Sequence, residues 1–82
     1  MSQQTVILFS APSCSWCTKT KEYLRKRNIK FKDIDVSRDA KAAQDMIRKT
    51  GQQSVPQLWI GGRAVVGFDI NKIERYLNIN KE

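Results

Sequence analysis

Thr5-Val6-Ile7-Leu8-Phe9-Ser10-Ala11-Pro12-Ser13-Cys14-Ser15-Trp16-Cys17 places an apolar run, a turn and the only two cysteines of the chain in immediate succession. The run from Thr5 to Phe9 is of strand-forming type and ends in Ser10, Ala11 and Pro12, while good helix formers occupy Lys19 to Arg27. The cysteines therefore fall where a strand hands over to a helix. Cys14 sits at or just before the first helical turn. There the unpaired N–H groups and the positive end of the helix dipole stabilise a thiolate, and Cys17, with two residues between, can close a small disulfide ring. One segment supplies a nucleophilic sulfur, its activation and its resolving partner, which points to dithiol redox chemistry. Inert buried cysteines have no reason to cluster at a strand end. Two thiolates make half of a tetrahedral zinc shell, and the chain has no histidine to complete it. No metal site is expected.

Outward from this segment, the pattern predicts a helix over 15–27 with Cys17, Thr20, Leu24 and partly Tyr23 on its inner face, ending at Asn28. A second strand is expected over 29–36, carried by Ile29 and Phe31, then Ile34 and Val36, with a slip of alternation near Asp33. Ser37 or Asp39 can cap a second helix over 40–50 that turns Ala43, Met46, Ile47 and Thr50 inward and stops at a left-handed Gly51. The run Ser54 to Ile60, then Gly61-Gly62, then Arg63 to Val66 reads as a hairpin with a two-residue turn. Asp69 stands at the N-cap of a third helix packed through Ile70, Ile73 and Leu77. Strand, helix and strand at the start require a parallel pair with a right-handed crossover, and the later hairpin adds antiparallel strands. The expected class is α/β: a mixed four-stranded sheet in the order βαβαββα, with helices on both faces.

At 82 residues, 40% of them hydrophobic, the chain suffices for one domain over 1–82 with a single core, and substrate must be met at the surface. Met1-Ser2-Gln3-Gln4 lacks the basic start of an export signal, and nothing approaches a membrane span, so a cytoplasmic protein without membrane contact is expected. In that compartment a close cysteine pair reads as reactive rather than as a staple. Fifteen Lys and Arg against eight Asp and Glu leave a net charge of +7, which favours anionic partners. Lys19, Lys21, Arg25, Lys26 and Arg27 read as a solvated helix face with a basic last turn. No phosphate loop, zinc finger or aromatic-interleaved basic motif accompanies them, and no nucleic-acid partner is expected.

Cys14-Ser15-Trp16-Cys17 after a strand, Ser54-Val55-Pro56 before the third strand and Gly67-Phe68-Asp69 before the last helix together resemble the glutaredoxin branch of the thioredoxin superfamily, over nearly the whole chain. The resemblance implies the thioredoxin fold and a monomeric thiol–disulfide oxidoreductase with Cys14 as the attacking and Cys17 as the resolving residue. It makes Pro56 a cis residue facing the disulfide and Val55 the residue whose backbone pairs with substrate. Trp16, Val55, Pro56, Gly67, Phe68 and Asp69 become the substrate or glutathione contacts. No tightly bound cofactor is implied. Protein disulfides, glutathione mixed disulfides or both are the implied substrates, with glutathione as co-substrate or a thioredoxin-reductase-like flavoprotein as electron donor.

Three positions depart from the family pattern. Ala11 stands where glutaredoxins commonly place a Lys or Arg for a glutathione carboxylate. Val66-Gly67 replaces the common Gly-Gly, and Phe68 is instead similar to the Gly-Phe of small redoxins that are reduced by thioredoxin reductase and feed ribonucleotide reductase. Ser15 replaces the proline of many members, freeing an N–H at the helix start. Lys19 and Lys21 could reach back to compensate for Ala11. Trp16 either forms a rim over the site or packs on the Ser54–Pro56 loop, Trp59 reads as half-buried sheet packing, and Gln52 and Gln53 read as loop solvation. Ser after the first cysteine also resembles glutaredoxins that carry an iron–sulfur cluster between two chains and two glutathiones. A non-catalytic basic binding module has only the net charge in its favour.

Overall fold

Both faces of the first strand are apolar because both are covered. In the computed structural model, which describes residues 5–77, β1 (Val6–Ser10) turns Val6 and Leu8 to one side and Ile7 and Phe9 to the other. α1 (Ser15–Lys26) crosses back to β2 (Lys32–Asp35), which pairs with β1 in parallel. α2 (Ala40–Thr50) leads to the antiparallel hairpin of β3 (Gln57–Ile60) and β4 (Arg63–Val66), and α3 (Ile70–Leu77) follows. The strand order is β2-β1-β3-β4, with β1 and β3 antiparallel at the centre.

Leu8, Leu58 and Val65 are register partners across three strands and are buried against Leu24 of α1 and Ile73 of α3. On the opposite face Phe9 packs with Ala42 and Met46 of α2, and with the half-buried Trp59, whose ring meets it edge-on at 4.7 Å. The helix ends are set locally. Asp39 caps α2 by accepting from the Ala42 N–H at 3.0 Å, a contact worth about 1 kcal/mol, and Gly51 ends it at φ 73°. Gly61 and Gly62 both have positive φ, 57° and 91°, as a two-residue hairpin turn matched to strand twist requires.

The arrangement is the expected βαβαββα sheet, with three local corrections. β2 is shorter than 29–36 because Asn28 takes a left-handed φ of 59° and the Ile29 N–H returns to the Leu24 carbonyl at 2.9 Å, which ties residues 28 and 29 to the end of α1. The third strand likewise begins at Gln57 rather than Ser54. Ile70 is 40% exposed, not inward: it is the first residue of α3, and the buried stripe starts one turn later at Ile73. The slip near Asp33 arises because Ile29, Phe31 and Val36 lie outside β2. Ile29 and Phe31 join the α1 and α3 side, and Ile34 and Val36 the α2 side.

Candidate active site

The strand-to-helix junction puts the Cys14 sulfur at the N-cap of α1. The turn from Ala11 is closed by the Cys14 N–H donating to the Ala11 carbonyl at 3.2 Å, and Cys14 itself keeps an extended backbone (φ −94°, ψ 108°). Its Sγ accepts from the Cys17 N–H at 3.1 Å. Serine and aspartate oxygens usually take this capping position; here a half-exposed sulfur does, in the field of the helix N-terminus. The thiol also points its hydrogen at the Val55 carbonyl, 3.7 Å away.

Cys17 faces inward, 1% exposed, and both cysteines are free thiols. Burial, followed by the hydrogen bond with Cys14, pushes the Cys17 thiol up to about 12. Lys21 works against this shift from one turn further along α1. Its ammonium is 2.9 Å from the Asp33 carboxylate, which in turn accepts from the buried Ser10 hydroxyl at 2.7 Å. Lys21 is therefore committed to β2 rather than to the first turn of the helix. Lys19 lies with its Nζ 5.7 Å from the centre of the Trp16 ring.

The Cys17 shift has a sign that can be tested. In the unfolded chain the thiol ionises near its ordinary 9.0, whereas in the reduced folded protein it holds its proton to about 12. Over that window the folded state binds more protons, so stability falls as pH rises through it. Reduced protein is expected to lose stability between these values more steeply than Cys17→Ala, as read by urea midpoints at a series of pH values. Identical slopes would mean that the thiol is not shifted.

Beside the cysteines lies a groove of about 320 Å³ lined by Trp16, Ser54, Val55, Pro56, Gly67 and Phe68. The Val55–Pro56 bond is cis, and the Gly67 N–H donates to the Pro56 carbonyl at 2.8 Å. This bond ties the 67–68 turn to the 54–56 loop. Trp16 is 55% exposed and lines the groove with its ring 6.0 Å from that of Phe68. Five of the six contact residues expected from sequence meet here. Asp69 does not line the groove; its carboxylate accepts from the Lys72 N–H at 3.2 Å and caps α3.

Gln57 was not among the expected residues. It is completely buried and holds the loop from below, its amide donating to the Gln52 and Ser54 carbonyls at 3.0 and 2.9 Å while its Oε1 accepts from the Thr50 hydroxyl at 3.0 Å. The signal was a glutamine inside an otherwise apolar strand run, since a polar side chain there must find partners. Gln52 acts through its carbonyl, and its side chain, like that of Gln53, is exposed.

A glutaredoxin family model matches residues 6–65. A glutaredoxin-like 8.6 kDa protein of the rubredoxin operon of Clostridium pasteurianum is 40% identical over 70 residues, spanning 85% of this chain and 93% of that protein. Among solved structures, a variant of a thioredoxin-like protein superposes with a TM-score of 0.87 at 32% identity, over 93% of this chain and 97% of the other. NrdH-redoxin from Escherichia coli, a glutaredoxin-like protein with a thioredoxin-like activity profile, superposes with a TM-score of 0.78 at 27% identity, over 87% and 92%. A buckwheat glutaredoxin–glutathione complex shares the fold at 21% identity, TM-score 0.75, over 92% and 77%. Gly67, Phe68 and Asp69 lie beyond the stretch that the family model matches.

Proposed function

The chain belongs to the glutaredoxin family, and from that premise we propose that it reduces disulfides of proteins through the Cys14–Cys17 dithiol, with a flavin-dependent reductase as a better electron donor than glutathione. The observation that carries the reading is the asymmetry of the two sulfurs: Cys14 half-exposed with an N–H donor on its Sγ, and Cys17 buried beneath it with its proton held. The Cys14 thiolate attacks one sulfur of the substrate disulfide, forms a mixed disulfide and releases the other half as a thiolate. Cys17 then attacks the Cys14 sulfur, its proton passing to the departing sulfur of the second half, and the Cys14–Cys17 disulfide closes. Two electrons pass from dithiol to substrate. Once Cys14 is in the mixed disulfide its charge is gone. Its electrostatic part in holding the Cys17 proton disappears with it, so the resolving thiol becomes more acidic when it is needed.

The groove supplies backbone and apolar surface for an extended substrate at Val55 and between Trp16 and Phe68, a form of strand addition. Its lining residues carry no cation to receive a carboxylate, and Ala11 adds none. A charge-assisted hydrogen bond is worth about 1.5 to 3 kcal/mol, roughly ten- to a hundredfold in affinity, so glutathione binds weakly. The likeness to a redoxin with a thioredoxin-like activity profile supports the same donor.

Side-by-side turnover of one protein disulfide with glutathione plus glutathione reductase, and with NADPH plus thioredoxin reductase, tests the reading. Measurable but poor turnover is expected with glutathione, improved about tenfold in apparent affinity by Ala11→Lys. Equal turnover with both donors, untouched by Ala11→Lys, would reverse the donor assignment. No reduction of any disulfide with either donor would defeat the function itself.

A further inference from the structure

Phe68 lines one hollow and packs against a wall of a second. Its ring stands 6.0 Å from that of Trp16 and 5.6 Å from that of Tyr23. On the Trp16 side is the groove beside the dithiol, and on the Tyr23 side is a second hollow of about 380 Å³ lined by Lys19, Glu22, Tyr23 and Lys26. Trp16, Lys19, Tyr23 and Lys26 succeed one another at spacings of three, four and three residues, which keeps them on one side of α1. The two hollows lie one after the other along this side of α1, on either side of the Phe68 ring, and we call them together a track; from Trp16 to Lys26 it runs about 15 Å.

The far part of this track differs in charge from the near part. Lys21, Arg27, Arg38 and Arg48 each have a carboxylate within 4 Å among the described residues. Lys19 and Lys26 have none: Lys19 lies over the face of Trp16, and both are exposed. Glu22 is the single carboxylate in the hollow, which leaves the pair of lysines in net excess.

We infer that this track receives the polypeptide carrying the target disulfide and selects partners with acidic residues close to the reactive cysteine. The inference rests on the dithiol reading above and adds a substrate class to it. An extended segment advances about 3.3 Å per residue, so the track accommodates roughly four or five residues beyond the cysteine. Lys19 is met first and Lys26 about three residues later. Apolar side chains of the segment meet Trp16, Phe68 and Tyr23, and its carboxylates meet the two ammonium groups.

The test uses three symmetrical peptide disulfides, each made of two copies of one short peptide, with two aspartates, two asparagines or two lysines beyond the cysteine. Reduced protein is mixed with each in a single turnover. Cys14 and Cys17 lose two electrons and become a disulfide, and the peptide disulfide gains the electrons and two protons and leaves as two thiols. The aspartate peptide is expected to react about fivefold faster than the asparagine peptide at low salt, with the advantage shrinking as salt rises. The lysine peptide is expected to be slowest. Lys19→Gln with Lys26→Gln is expected to collapse the acidic-over-neutral ratio toward one, and Glu22→Gln to raise it. Removing two cations from α2, by Lys41→Gln with Arg48→Gln, is expected to leave the ratio in place. Equal rates for the three peptides overturn the inference. A ratio that survives loss of Lys19 and Lys26, or that falls as far in the α2 pair, also overturns it, because the field of the whole molecule would then be responsible. If no peptide oxidises the dithiol, the underlying function fails instead.

Discussion

Cys14→Ser is expected to abolish reduction of every disulfide, by about a thousandfold or more, because a hydroxyl at the N-cap cannot supply the thiolate that begins the exchange. Cys17→Ser is expected to behave differently. Cys14 keeps its exposure and its N–H donor, since the bond comes from the backbone of residue 17 and not from its sulfur. Attack proceeds, the mixed disulfide accumulates, and turnover survives only where an external thiol such as glutathione can release it. Mass spectrometry of the protein after mixing with a protein disulfide separates the two: no adduct in Cys14→Ser and a stable adduct in Cys17→Ser. An adduct trapped on Cys17 of the Cys14→Ser protein would invert the assigned roles.

The second large effect is expected at Gln57. Replacing it by Leu keeps an apolar body in the strand but strips the Gln52 and Ser54 carbonyls of their buried donor. Each lost bond to these loop carbonyls costs about 0.5 to 1.5 kcal/mol. The two together come to about 1 to 3 kcal/mol, a sizeable share of the roughly 5 to 15 kcal/mol that holds a small domain together. Thr50 loses less, because its one hydroxyl hydrogen can turn to the Met46 carbonyl at 3.1 Å. Urea denaturation should show this loss. The fraction that remains folded should also reduce disulfides more slowly, because the 52–54 loop that leads into Val55 is no longer fastened. Unchanged stability would mean that the loop is held by its bonds to Gly67 and Cys14 alone.

What could be read in advance was whatever local chemistry fixes. Cys14 and Cys17, the left-handed Gly51 and the Gly61-Gly62 turn each follow from preferences within a few residues and stand where the sequence put them, and of the two caps it offered for α2, Ser37 and Asp39, the fold uses Asp39. The alternation around Asp33 looked irregular because β2 proper is only Lys32–Asp35, and the apolar Ile29, Phe31 and Val36 that were read as its pattern lie outside the strand. Ile70 fits the helical period, yet it falls on the first turn, before α3 has reached the sheet. The functions of Gln57, Lys21 and Phe68 depend on partners brought near by the fold: carbonyls that turn back beneath a strand, a carboxylate on β2, and two rings on a different helix. No spacing along the chain encodes these. The resemblance gave Phe68 a place in the groove but not its second face toward Tyr23.

Among the described residues the order β2-β1-β3-β4 leaves two edges open, and both are only four residues long. β2 presents Lys32, Asp33 and Asp35, and β4 begins with Arg63. Short strands bearing charge are poor templates for recruiting a foreign strand. The backbone at Val55 lies outside both edges, in the loop ahead of β3. The substrate docking proposed at Val55 thus uses a loop beside the sulfur, while the ribbon ends that would invite lasting aggregation are blunted.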